Sequence, residues 1–251
     1  MTLRPVRLLA AATLFSLLPA GPARAQWPPE RFTNLKVLPD TIARDTLIRM
    51  MASFTRALGV RCTYCHVGEE SQPLATYDFP SDEKPAKAKA RVMLRMVAAI
   101  NGTHLAQLED RRDPLVRVMC ATCHRGVTAP RPLADELELS WRAGGIDSAL
   151  AAYRALRQRY YGRAAYDFGE VALVDAANVV ERAGAPADAL RLLERNTEEN
   201  PESAFAWRSL AEAQLETGNK AGAIASFERA LALQPQDTRT EARLKELRAG
   251  G

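Results

Sequence analysis

Apolar positions along the chain fall on helical spacings. Leu47, Met51, Phe54 and Leu58 follow one another at intervals of four, three and four, which draws one apolar stripe along a helix. Pro39 and Asp40 open this stretch, Asp40 as an N-cap, and Gly59 closes it as a C′ residue. Met51 lies on the stripe, whereas Met50 is rotated from it by about 100°. A second stretch begins near Ser81-Asp82, carries Pro85 in its first turn and runs to about Asn101-Gly102. Its apolar face holds Val92, Met93, Met96, Val97 and Ile100, with Met93 and Met96 as i, i+3 neighbours.

After Thr128-Ala129-Pro130-Arg131-Pro132, which reads as a linker, the pattern changes to a 34-residue period. Trp207, Leu210, Ala211, Gly218, Ala223, Phe227, Ala230 and Pro235 set one unit, and the same spacing recovers Leu173, Ala176, Ala177, Gly184, Ala189, Leu193 and Pro201. Small residues at these places let two antiparallel helices pack closely, and the pattern resembles the tetratricopeptide repeat. A looser unit precedes it, with Gly144, Ala149, Tyr153 and Leu156 in step but a poorly matched first helix. Thr238 to Arg248 reads as the capping helix that such a stack needs. The resemblance implies a concave face that takes a protein or peptide partner; packing against the preceding domain or self-association is the alternative.

Composition alters this picture mainly at the N-terminus. The chain has 251 residues, 47% hydrophobic and 25% charged, which is too apolar for a disordered protein. Residues 1–25 read as a cleaved export signal: Arg4 and Arg7, an apolar run from Leu8 to Leu18, then Ala23-Arg24-Ala25. That run is shorter than the roughly 20 residues that span a bilayer, and no cysteine follows to carry a lipid anchor. Cleavage takes three of the 34 basic residues and none of the 30 acidic ones, leaving 31 against 30. A nearly neutral mature chain gives nucleic acid no electrostatic footing. The expected location is periplasmic or extracellular, with membrane association only through a partner or an uncleaved signal.

The four cysteines carry the chemistry. Cys62-Thr63-Tyr64-Cys65-His66 and Cys120-Ala121-Thr122-Cys123-His124 are both C-x-x-C-H, the attachment signature of c-type haem. Two thiols three positions apart can each form a thioether to one vinyl group of a porphyrin, and the next histidine supplies the proximal nitrogen to iron. A zinc ribbon, the alternative for four cysteines, leaves both adjacent histidines unexplained. The third histidine, His104, reads as a solvated or helix-end residue. Methionine thioether is the usual second axial ligand in electron-transfer cytochromes, and Met50, Met51, Met93, Met96 and Met119 are available in the mature chain. Met50 and Met96 read as core fillers, and Met119 abuts Cys120 on the proximal side.

From Leu38 to Pro132 the chain resembles the cytochrome subunit of photosynthetic reaction centres, and more closely a group of exported diheme relatives of it. The segments that carry the likeness are Met51-Ala52-Ser53-Phe54-Thr55, Arg91-Val92-Met93-Leu94-Arg95-Met96 with Ile100-Asn101, and Cys120-Ala121-Thr122-Cys123-His124-Arg125-Gly126. The resemblance implies that Met51 serves the haem of Cys62, Cys65 and His66. It likewise implies that Met93 serves the haem of Cys120, Cys123 and His124. The reaction-centre subunit has four haems; this chain has motifs for two.

The expected protein is therefore all-α: a signal over 1–25, a diheme cytochrome domain over 26–132 and a repeat domain over 133–251. Its expected work is electron transfer between redox partner proteins rather than catalysis. A diheme peroxidase, with one iron open on its distal side, and a redox-sensing scaffold are the alternatives.

Overall fold

The computed structural model describes residues 27–29, 31–109 and 116–249. The expected export signal lies outside them. Among the described residues the only extended pairing is an isolated bridge between Val67 and Asp78, so the all-α expectation holds. None of their helices is long and apolar enough to cross a membrane.

Helix α1 runs over Arg44–Leu58 and α2 over Pro85–Ala99. Both lie on the expected stretches, but α1 begins at Arg44, so Asp40 stands in the turn before it and is not its N-cap. Gly59 ends α1 with φ +66°, a left-handed conformation that glycine adopts without strain. Helix α2 starts on Pro85, where the missing N–H costs nothing. Its far end widens into a π turn over Ile100–His104, followed by a 3-10 turn over Leu105–Gln107. Short helix α3 spans Cys120–His124.

The chain divides into two compact units. The first runs to Leu47 and resumes over Cys62–Met93. It is mostly loop, organised around the Asp82 carboxylate, which accepts from Lys36 at 2.6 Å, Arg91 at 2.8 Å and Asn34 at 3.0 Å. These donors hold the Asp82 carboxyl well below the ordinary range, Lys36 and Asn34 foremost.

The second unit takes Ile48–Arg61 and continues from Leu94. Its bulk is the repeat stack: α4 (Leu133–Tyr160), α5 (Glu170–Arg182), α6 (Pro186–Glu199), α7 (Ala204–Glu216), α8 (Lys220–Leu233) and α9 (Thr238–Ala249). Helix α5 packs on α6, α6 on α7, α7 on α8 and α8 on α9. Helix α4 is two helices joined across a kink, where Gly144 leaves helical geometry and Gly145 takes φ +72°. Leu137, Tyr153, Leu173, Val180 and Leu192 are fully buried in one continuous core, and Phe227, Ala211 and Leu244 form a second. Asn196, also fully buried, donates from Nδ2 to the Glu170 carbonyl at 2.9 Å, which ties α6 to the start of α5.

Candidate functional site

The two C-x-x-C-H segments are built differently. In the first unit, Cys62–Tyr64 forms a 3-10 turn, with the amides of Cys65 and His66 both donating to the Cys62 carbonyl. His66 lies edge-on to Phe79, ring centroids 4.9 Å apart, and Phe79 is stacked in turn on Trp27 and Tyr77. The His66 Nδ1 lies 3.2 Å from the Phe79 carbonyl. A carbonyl can only accept, so Nδ1 carries the proton and Nε2 keeps its lone pair. Burial, then the positive charges of Lys87 and Arg91, lower the His66 pKa against the opposing effect of that bond, which keeps the imidazole neutral.

In the second unit, Cys120–His124 is a single α-helical turn whose Thr122 hydroxyl accepts from the Met119 amide at 3.0 Å. The His124 Nδ1 lies 2.9 Å from the Val127 carbonyl, which fixes the same tautomer by the same argument. The backbone then reverses through Arg125 and Gly126, both with positive φ. Here the end of α1 meets the turn: the Gly126 amide donates to the Ala57 carbonyl at 2.8 Å. A Cβ on Gly59 would lie 2.2 Å from the Gly126 oxygen, so the approach is open to glycine alone. The segment ahead of Cys120 is held by Asn101 at the end of α2. Its Nδ2 donates to the Val118 carbonyl at 2.7 Å and its Oδ1 accepts from the Val118 amide at 2.8 Å, as a neighbouring strand would.

No disulfide joins any of the four cysteines. Burial, then the neighbouring Cys62, raises the Cys65 pKa against the opposing charges of Lys84 and Lys87, and burial raises that of Cys120. Among the described residues no three His, Cys, Asp or Glu side chains gather as a metal-holding cluster. Met51 is half-buried on α1, beside Phe54 and Leu58 on the same stripe. Helix α2 buries no residue at all: Val92, Met93 and Met96 are 53%, 38% and 45% exposed. An exposed apolar helix face of this kind is suited to cover by a flat, apolar group. His104 stands exposed at the end of the π turn, in keeping with a solvated residue.

Sequence reasoning located the thiols and imidazoles but not what orients them. Phe79 and Val127 act through their carbonyls, which no side-chain pattern reveals. Lys84 and Lys87 left a legible trace. Lys84 donates to the Thr63 carbonyl inside the first motif at 2.8 Å. Both lysines flank Pro85 at the start of α2, where the helix dipole disfavours a cation.

Residues 14–138 match the family described as Photosynthetic reaction centre cytochrome C subunit, and residues 174–238 match Tetratricopeptide repeat. Cytochrome c-554 of Chloroflexus aurantiacus is 35% identical over 105 residues, 42% of this chain and 23% of that protein. The photosynthetic reaction center cytochrome c subunit of Roseobacter denitrificans is 33% identical over 90 residues, 32% of this chain and 23% of its own length. The chain spans less than a quarter of either relative. Among solved structures, MamA covers 47% of this chain and 63% of its own at 21% identity, with a TM-score of 0.33.

Proposed function

Residues 14–138 belong to the photosynthetic reaction centre cytochrome c subunit family and residues 174–238 to the tetratricopeptide repeats; from that premise we propose that the protein is an exported diheme electron carrier whose repeat domain docks a protein partner. The observation that carries this reading is the pair of C-x-x-C-H segments, each with its histidine Nδ1 committed to a backbone carbonyl. That commitment presents Nε2 to iron, the arrangement typical of metal-ligating histidines.

A haem held at each motif supplies one-electron exchange between ferric and ferrous iron. The chain's residues do the rest. Cys62 and Cys65 would hold one porphyrin and Cys120 and Cys123 a second, with His66 and His124 as the ligands that would take the two irons. Met51 would supply a thioether to the iron at the first motif and Met93 to the iron at the second. Thioether sulfur donates less electron density than imidazole and favours the ferrous state, and apolar walls such as Leu47, Phe54, Val92 and Val97 act the same way. With both thioethers bound, neither iron would offer a position to peroxide, which favours electron transfer over catalysis. Haem propionates add roughly four negative charges to a nearly neutral chain, which favours basic redox partners.

A potentiometric titration of the purified exported protein, followed by absorbance, tests this. Two low-spin haems are expected, and Met51→His and Met93→His should each lower one midpoint potential. A high-spin ferric haem at neutral pH, or turnover of peroxide, would refute the assignment.

A further inference from the structure

We infer that Lys87 raises the potential of the first haem through the carbonyl it shares with His66, an inference that rests on the diheme reading above. The Lys87 ammonium donates to three consecutive carbonyls, those of Phe79, Pro80 and Ser81, at 2.7, 2.8 and 2.7 Å. The Phe79 oxygen is the same atom that accepts from His66 Nδ1. So one carbonyl serves both the proximal histidine and a cation.

The arrangement is held at a cost. Lys87 lies in the first turn of α2, where the helix dipole opposes a positive charge, and its side chain is only 13% exposed. Asp82 compensates in part, with Oδ1 3.4 Å from the ammonium. A residue kept against local preference marks a functional or strained position.

The chemical consequence follows from the direction of polarisation. A histidine N–H that donates to a strong acceptor makes the imidazole a more basic ligand, which stabilises ferric iron. An ammonium on the same oxygen withdraws electron density from it and weakens it as an acceptor for a second donor. His66 Nδ1 stands 3.2 Å from its carbonyl, against 2.9 Å for His124 and Val127. The first imidazole is thereby the poorer donor to iron, and its haem is the more easily reduced. The positive charge of Lys87 acts in the same direction, since it opposes ferric iron. Lys87 is a positioning residue that acts through the Phe79 carbonyl and His66.

The test uses the holoprotein and its Lys87→Met, Lys87→Gln and Lys87→Arg variants in the same spectroscopic titration. In the Met and Gln variants one midpoint potential should fall while the other stays put, and Lys87→Arg should restore the wild-type value. In the reduced protein the His66 Nδ1–H resonance should move downfield when the charge is removed, as its hydrogen bond strengthens. Lys87→Gln, which keeps a neutral donor, decides the matter where Lys87→Met does not retain both haems. Two attached haems with both potentials unmoved, or both moved equally, would overturn the role of Lys87 and leave the diheme reading standing. A wild-type protein with fewer than two attached haems would overturn that reading itself.

Discussion

Residues 27–132 and 133–249 are both helical, yet they are held together by different means. The repeat region buries 23 apolar side chains among the described residues, and the region before it only three: Leu47, Ala57 and Val127. In the repeats, small residues such as Ala176, Ala211 and Ala223 bring helices close, and Leu173, Leu192 and Phe227 fill the space between. The earlier region instead uses polar clasps: Asp82 with its cations, Asn101 with Val118, and the Ala57–Gly126 hydrogen bond. Its apolar side chains lie on helix faces as exposed as that of Val92 and Met93. On the proposed reading the prosthetic groups complete its core, so that cofactor attachment and folding are one event there and independent events in the repeats.

The largest expected effect follows directly. With Cys62, Cys65, Cys120 and Cys123 all replaced by alanine, limited proteolysis should remove residues 27–132 and leave a resistant fragment beginning near Leu133. Mass spectrometry of the fragments reads the boundary, and equal resistance of both regions would break the contrast. Next in size, Phe227→Ala should cost about 3–5 kcal/mol in repeat stability, seen as a lower thermal midpoint with the haem absorbance unchanged. Gly59→Ala should cost roughly 1–3 kcal/mol, because φ +66° and the 2.2 Å approach to Gly126 both exclude a side chain. Its signature is a disturbed haem spectrum with an intact repeat transition.

The smallest effect is a pH dependence. The Asp82 carboxyl titrates below its ordinary range in the folded protein, so its contribution is present above that range and is lost as the pH falls through it. Acid unfolding of the first unit should therefore be shallower in Asp82→Asn, by circular dichroism, with the repeats unaffected.

How much of this was legible in the sequence also divides between the two regions. The repeats were readable because each position is set by packing against a neighbour at fixed period. Gly218, Ala223 and Phe227 announce one unit, and Gly184, Ala189 and Leu193 the other. The preceding unit was legible only loosely: Gly144, Ala149, Tyr153 and Leu156 keep the internal spacing, while its first helix matches the pattern poorly and a kink stands at Gly144-Gly145. In the earlier region the two C-x-x-C-H spacings were legible, because thioether attachment would dictate where cysteine and histidine stand. The ends of α1 and α2 were legible to within a few residues from Gly59 and Pro85. What orients the histidines was not, because main-chain carbonyls do so, and any residue can supply a carbonyl. The clasp at Asn101 and the approach of Gly59 to Gly126 join positions far apart in sequence, which no local pattern encodes.

The central claim is that two porphyrins are bonded to this chain through four thioethers. Mass spectrometry of tryptic peptides from protein exported by a host with cytochrome maturation machinery tests it most directly. The peptide holding Cys62 and Cys65 and the peptide holding Cys120 and Cys123 should each carry the mass of one haem. Unmodified thiols or disulfides at either motif in that preparation would contradict the account.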